Sequence, residues 1–283
     1  SSGWAGSQLL NSDDYRAYVG GTTGLIYGFV NDGFYTVDDF KPFDSKSRTW
    51  TLKDGVVNSS PLSGDPRPGN AKFKKLTPVD ENSANPYTLT DDDRTVIGNT
   101  TPKFSGGFGL NATFKGFDVS AFFNFMYDFD VFNANKVMMT TWASNNYNNF
   151  SMDISAAKRW RNFDDMGNEI RYSPEILAEF NKNATMWNPT SIGRPIAMSY
   201  AVEDGSFLRL NTATIGYTLP RAWTNKVGLS RVRFYASGYN LFTITGYSGY
   251  DPEVNIATGL TPNIDYNRYP RSRTYTFGAQ LTF

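Results

Sequence analysis

From Phe104 to Phe114 the chain changes character at every step. Phe104, Gly106, Phe108, Leu110, Ala112 and Phe114 lie on one parity, and Ser105, Gly107, Gly109, Asn111 and Thr113 on the other. A period of two is the mark of a β-strand with one greasy and one small, polar face. After Lys115-Gly116-Phe117 the pattern resumes as Val119, Ala121, Phe123, Phe125 and Tyr127 against Asp118, Ser120 and Asn124, with Phe122 and Met126 blurring the polar side. It returns over 206–219, where Ala213, Ile215, Tyr217 and Leu219 alternate with Thr212, Thr214, Gly216 and Thr218. A fourth run, 231–243, sets Val232, Phe234, Ala236 and Gly238 against Arg233, Tyr235, Ser237 and Tyr239. The last, 271–283, sets Tyr275, Phe277, Ala279, Leu281 and Phe283 against Thr274, Thr276, Gly278, Gln280 and Thr282. Arg209 falls on the apolar parity of the third run, which predicts a bulge or an exit from the apolar layer at that point.

Each run has roughly the 9–11 residues that a tilted strand needs to cross a bilayer. The separations then decide between a transmembrane barrel and a soluble sandwich. They are 3 residues (115–117), 78 (128–205), 11 (220–230) and 27 (244–270). Short and long connections alternate, so the bulk lies at one end, as in outer-membrane barrels with short periplasmic turns and long outer loops. The reading is an all-β, antiparallel transmembrane β-barrel segment, with 128–205 and 244–270 as extracellular loops. Residues 1–103 read as earlier strand material leading into a long outer segment, Tyr18–Phe29 alternating weakly through Leu25, Tyr27 and Phe29. Short helices are expected within the loops. Ser173-Pro174-Glu175 opens one, with Ile176, Leu177 and Phe180 on a face. Met152–Arg161 has Ile154, Ala157 and Trp160 at helical spacing, and Pro220 to Gly228 reads as a turn opened by Pro and stopped by Gly.

Composition narrows the function. Phe 22, Tyr 17 and Trp 6 make the chain 16% aromatic, yet its mean hydropathy is −0.44. Apolar residues spread one in two along strands reconcile those figures, and no run approaches the roughly 18 apolar residues of a membrane helix. With 27 basic and 27 acidic residues there is no global field for nucleic acid, which is not expected as a partner. The chain contains neither Cys nor His, which removes disulfides, the usual zinc sites and His-based triads. The paired carboxylates Asp13-Asp14, Asp38-Asp39 and Asp164-Asp165 read as solvated loops rather than as an acid–base pair. No enzyme activity and no cofactor are expected. Ser1-Ser2-Gly3-Trp4 has no secretion signal, so such a segment has been removed or the chain is the later part of a longer one.

Several stretches carry a family resemblance. Asp93-Arg94-Thr95-Val96-Ile97-Gly98-Asn99 with Pro102-Lys103-Phe104-Ser105-Gly106-Gly107-Phe108 resembles a segment of the SusC-like TonB-dependent outer-membrane transporters. Asp204-Gly205-Ser206-Phe207-Leu208-Arg209-Leu210, Ser237-Gly238-Tyr239-Asn240-Leu241-Phe242 and Tyr250-Asp251-Pro252-Glu253 are similar to that family's late barrel, and Gly28 to Gly33 to an earlier element. The resemblance implies the last strands of a plugged barrel of about 22 strands, in the outer membrane of a Gram-negative bacterium. It implies import of nutrient oligomers, glycan or peptide, with a SusD-like lipoprotein lid, and TonB acting through an N-terminal plug outside this sequence. The alternative is a non-transporting adhesin or glycan-binding surface protein.

Ligand contact is expected from loop aromatics among amide side chains: Trp142, Tyr147, Trp160, Trp187, Tyr247 and Tyr250. Tyr275, Phe277, Leu281 and Phe283 resemble the C-terminal signal read by the barrel-insertion machinery, and the same face would meet outer-membrane lipid. Tyr127, Tyr217 and Tyr275 are expected as headgroup-level girdle residues. The family often has a calcium-like loop before its Asp-Arg pair. Here Leu76 to Arg94 lacks that loop's glycine-bearing core, so no metal is expected, and Asp91 and Asp93 remain as its candidate ligands against a solvated acidic loop.

Overall fold

The five alternating runs form one antiparallel sheet, with neighbours in the sequence as neighbours in space. The computed structural model describes residues 14–141, 149–193, 196–253, 261–266 and 269–283. In chain order the strands are β1 (Tyr15–Arg16), β2 (Leu25–Gly28), β3 (Asn31–Phe34), β4 (Ala71–Phe73), β5 (Thr95–Asn99), β6 (Phe104–Phe114) and β7 (Phe117–Tyr127). There follow β8 (Asp130–Asn133), β9 (Val202–Asp204), β10 (Phe207–Thr218), β11 (Arg231–Thr245), β12 (Ile264–Asp265) and β13 (Thr274–Thr282). The α-helices are short: α1 (Ser60–Ser63), α2 (Ala134–Met138), α3 (Pro174–Phe180) and α4 (Arg221–Thr224). The chain divides into two compact units, one of Ser1–Asn99, Phe132–Val202 and Ile256–Asn267, the other of Thr100–Val131, Glu203–Asn255 and Arg268–Phe283.

The second unit is built on the sheet β6-β7-β10-β11-β13. Its tightest connection is the two-residue turn Lys115-Gly116, whose φ values of 46° and 88° are the left-handed pair that a right-twisted hairpin requires. Register then turns the sequence alternation into rows. Ala112, Val119, Ile215, Ala236 and Phe277 lie side by side across all five strands, flanked by Phe114, Phe117, Tyr217, Phe234 and Ala279. On the other side of that row come Leu110, Ala121, Ala213, Gly238 and Tyr275.

The bulge expected near Arg209 is present. Register shifts between Leu210 and Thr212 against both neighbours, leaving Asn211 as the extra residue opposite β7. Asn240 on β11 turns through a left-handed φ of 51° at the same level, a conformation Asn tolerates better than most residues. Past this point the side chains of β10 change parity, so that its even positions take the apolar face. Leu210 joins Phe108, Phe123 and Phe242, Leu208 joins Phe125 and Ile244, and Arg209 passes to the polar face beside Asn124 and Thr243.

The polar face carries Asn111, Ser120, Thr214, Ser237 and Thr276 in one row, with the Thr214 and Ser237 hydroxyls 2.8 Å apart. In the next row Asp118 reaches over β10 to Arg233: Nε donates to Oδ1 at 2.9 Å and Nη2 to Oδ2 at 2.5 Å. Gly216 lies between them. A Cβ there would sit 2.4 Å from the Arg233 guanidinium and 2.6 Å from both Asp118 oxygens, so bare backbone is what lets the ion pair close.

Among the described residues the other unit has no long sheet. β1-β2-β5 and β3-β4 are small antiparallel sheets, and residues from three separate chain segments share one core that includes Ile26, Phe73, Phe132, Val137, Trp187 and Ile264. Side chains close the backbone account where ladders are missing. Tyr35 is fully buried; its hydroxyl donates to the Val57 carbonyl at 2.6 Å and accepts from Ser59 N–H at 2.9 Å.

Three expectations need correction here. Leu25 and Ile26 are both buried, so the weak alternation of 18–29 does not describe a strand with one wet face. α3 forms where Ser173-Pro174 placed it, but Ile176 is exposed and Leu177 alone of its residues is buried. Met152–Arg161 makes only one 3-10 turn, Met152–Ile154. The Ser155 carbonyl closes one further turn by accepting from Lys158 and Arg159, and competition then ends it: the Lys158 carbonyl accepts from Thr185 and Met186, and Trp160 N–H donates to Met186, which pairs Arg159 with Met186.

Candidate functional site

Three places offer chemistry: the apolar face of the sheet, a charged cluster at one end of its polar face, and the side chains of the loop-rich unit. The apolar face is exposed. Phe114, Leu110, Ile215, Phe234 and Phe277 show 70%, 60%, 52%, 51% and 80% of their surface. Such a contiguous greasy surface far exceeds the isolated apolar residues of ordinary soluble proteins. Tyr275, Phe277 and Leu281 continue it along β13, and Phe283 follows; all are more than half exposed. Phe104 and Tyr127 stack at one end of the sheet, with centroids 4.9 Å apart, and Phe117 and Tyr217 meet at the other, at 4.5 Å. Tyr127 and Tyr217 are thus end residues, whereas Tyr275 pairs with Gly238 part-way up.

The charged cluster centres on Arg209, whose side chain is 2% exposed. Its Nη2 donates to Asp251 Oδ1 at 2.5 Å, and Nη1 lies 3.5 Å from Glu253 Oε2, which is also 3.1 Å from Arg271. Asp251 Oδ1 in turn accepts from Glu253 N–H at 2.9 Å. A buried guanidinium of this kind is tolerable only with its carboxylates in place. The cluster ties residues 251–253 and Arg271 to β10.

Of the six aromatic residues expected at ligand, four lie within the described residues. Trp142 and Tyr147 lie outside the described residues. Trp160 is 3% exposed and packs on Phe34 and Gly69. Trp187 is 2% exposed, its indole N–H donating to the Thr140 carbonyl at 3.3 Å. Tyr247 is buried with Phe129, Val131 and Phe207. These three are core residues, because the loops build their own apolar interiors and consume their largest side chains there. Tyr250 is 83% exposed.

Asp91 and Asp93 sit in unlike surroundings. Asp91 is exposed and Asp93 fully buried, and donors surround the Asp93 carboxylate. Oδ1 accepts from Leu76 N–H at 2.9 Å, Thr77 N–H at 2.8 Å and the Thr77 hydroxyl at 2.7 Å. Oδ2 accepts from Thr90 N–H at 2.8 Å and Lys75 Nζ at 3.3 Å. A metal needs those same lone pairs. Burial alone would raise the Asp93 pKa, but the hydrogen bonds from Thr77, Thr90 and Leu76 outweigh it and hold the group well below the usual carboxylate range. Its neighbour Arg94 donates to the Tyr27 carbonyl at 3.1 Å, so the Asp-Arg pair is a clasp joining the 75–94 loop to β2. Asp39 and Asp164 likewise serve locally, capping Thr36 and closing the turn to Asn168.

Because the folded pKa of Asp93 is depressed, its stabilisation is complete above the unfolded value of about 4 and is lost as pH falls toward the folded one. Asp93→Asn is expected to cost about 1.5–3 kcal/mol at neutral pH and to flatten the acid limb of the stability–pH curve. Denaturant titration at pH 7 and pH 3 checks this; equal losses at both pH values would count against it.

No protein-family model matches the chain. Among curated proteins it is 31% identical over 270 residues to TonB-dependent receptor P3 of Formosa agariphila, across 93% of this chain and 22% of that protein. To TonB-dependent receptor SusC of Bacteroides thetaiotaomicron it is 32% identical over 164 residues, across 53% of this chain and 15% of that one. Of solved structures, the RagAB peptide importer in its "open-open" state superposes with a TM-score of 0.60 at 22% identity, over 96% of this chain and 23% of that one. The "closed-closed" state gives 0.56 at 22%, over 95% and 25%. At such identity the structural likeness is one of fold. The chain spans about a quarter or less of the length of the proteins it matches.

Proposed function

Starting from a chain homologous to the SusC-like TonB-dependent receptors over about a quarter or less of their length, we propose that it forms part of the barrel wall and outer-loop surface of an energy-coupled nutrient importer. The barrel, of about 22 strands, lies in the outer membrane of a Gram-negative bacterium. One observation carries this reading above the others: register makes apolar rows that run unbroken from β6 to β13 on one face, opposite a polar face. A wall between lipid and an aqueous lumen needs that division. The outer edges of β6 and β13 have no partner within this sheet, and open edges in lipid are not viable, which supports closure by further strands.

In this reading the long segments leave the end of the sheet marked by Tyr127, Phe207 and Thr245. There they meet a SusD-like lipoprotein and the ligand, a glycan or peptide oligomer. Energy arrives through TonB and a plug outside this sequence. Tyr250, exposed beside the Arg209 cluster in sequence, is the aromatic residue we assign to that contact surface. No covalent step is assigned. Deleting the gene should abolish growth on one class of oligomer as sole nutrient while growth on its monomer persists; unchanged growth on every glycan and peptide oligomer would sink the importer reading.

The alternating end of β13 is assigned to recognition by the barrel-insertion machinery. Phe283, 91% exposed, makes no core contact whose loss would unfold the sheet. Phe283→Ala is therefore expected to lower the amount of protein in outer-membrane fractions severalfold while leaving inserted molecules normally stable. Fractionation with immunoblotting reads the first, and heat-modifiability on gels the second.

A further inference from the structure

In the loop-rich unit a cavity of about 260 Å³ opens between the 48–50 and 65–70 segments, residues 171–172 and α3. That is somewhat smaller than the ~300–1,000 Å³ of sites for whole drug-sized ligands, and matches one ring of an oligomer. Three guanidiniums line it, those of Arg48, Arg67 and Arg171, against one lining carboxylate, Asp65. Glu169 holds Arg171 by an ion pair. Arg67 is exposed and its side chain has no ion pair or hydrogen bond among the described residues. The surplus in the cavity is positive, although the whole chain is neutral.

Flat rings make the rest of the wall. Trp50 and Tyr172 line the cavity and are joined through Phe43, whose centroid is 4.7 Å from Trp50 and 6.1 Å from Tyr172. The Arg48 and Arg171 guanidinium carbons lie 5.2 and 5.6 Å from the Tyr172 ring, which holds both cations near one aromatic surface. Beneath, Leu177 of α3 contributes to the lining. Gly69, between the lining residues Pro68 and Asn70, lies flat on Trp160; a Cβ there would fall 2.2 Å from the indole. That contact fixes how far the 68–70 backbone can approach the Trp160 side of the unit.

We propose that this cavity binds one anionic unit of an acidic oligosaccharide, Arg48 and Arg67 holding its carboxylate or sulfate and Trp50 and Tyr172 receiving its ring. Guanidinium forks match both anions, and ring faces with amide groups, here Asn162, suit a hydroxylated ring. Strand addition, a common way of reading an extended peptide independently of its charge, needs a free strand edge. None of the lining residues belongs to a strand, so main-chain pairing is not on offer. The proposal deepens the uptake reading by naming a ligand class, and rests on it for the supply of that ligand.

The test is calorimetric titration of the native protein, purified from membranes in detergent, with four probes. They are trigalacturonate, a sulfated galactan trisaccharide, maltotriose and a triglutamate peptide. Binding of either acidic sugar is expected, the two arms separating carboxylate from sulfate, with no heat from maltotriose. Arg48→Gln and Arg67→Gln should each weaken that binding about tenfold or more, the worth of a charge-assisted hydrogen bond. Both side chains are exposed, and unchanged melting of the variants confirms intact folding. Three results overturn the proposal: no binding of acidic sugars, equal binding of maltotriose, or affinity untouched in both variants. Preference for triglutamate overturns the sugar assignment and gives the site to acidic peptides. Binding is read without transport, so its failure leaves the importer reading standing, whereas unchanged growth of the deletion strain on every oligomer, with binding intact, overturns the importer reading and leaves the site.

Discussion

Replacing Arg209 by alanine is expected to destabilise the protein by about 3–5 kcal/mol, the usual consequence of stranding a buried partner charge. The Asp251 side chain is 7% exposed and that of Glu253 23%, so neither recovers full hydration when the guanidinium goes. Arg271 stays on Glu253 but does not reach Asp251 in the ion pairs of the structure. The double variant Arg209→Met, Asp251→Leu removes both charges together and should regain most of the loss, since well-packed apolar pairs commonly match buried ion pairs. Urea unfolding of the protein in phospholipid vesicles measures both variants. A loss under about 1 kcal/mol in Arg209→Ala would mean that water reaches the cluster and that it behaves as a surface pair. Proteolysis of the 246–253 segment should quicken in the single variant, because the cluster is what fastens that segment to β10.

The second large effect separates the two faces of the sheet. Ile215 is central on the apolar face, between Val119 and Ala236, and Ile215→Arg should cost about 2–4 kcal/mol in a bilayer. Thr276→Arg, on β13 and the polar face, should cost well under half of that. The asymmetry needs lipid on one side and water on the other. Equal and small effects of both substitutions, measured by the same unfolding transition, would mean that the apolar face meets something other than lipid. In detergent micelles the difference should persist, because the hydrocarbon contact persists.

The strands of the sheet were legible because one physical rule dominates them. A side chain on a strand has two directions only, and an aqueous side and an apolar side demand opposite chemistry. Phe104–Phe114 matches its expected run to the residue, Phe117–Tyr127 starts one residue earlier than expected because the turn takes two residues rather than three, and Arg209, the residue out of pattern, marked the bulge. The loop-rich unit has no such rule. Its segments satisfy backbone groups one at a time, through Tyr35, Asp39, Asp93 and Asn181, and leave no period behind. Trp160 and Trp187 show the result: aromatic residues amid polar loops read as ligand platforms, yet pack inward. The Asp93 clasp was equally hidden, since its donors come from residues 75–77 and 90, brought together only by folding.

By itself, then, the order of residues determined the strand runs, their greasy and polar faces, the level of the bulge and the kinship with TonB-dependent receptors. All of these depend on neighbours along the chain or on short matched segments. Only the tertiary structure decided which aromatics are core, which donors hold Asp93, which carboxylates hold Arg209, and that Arg48, Arg67 and Arg171 share a cavity. Those outcomes depend on pairs far apart in sequence, such as Arg209 with Asp251 or Arg48 with Tyr172. Burial and charge pairing are properties of three-dimensional neighbourhoods, and no local pattern encodes them.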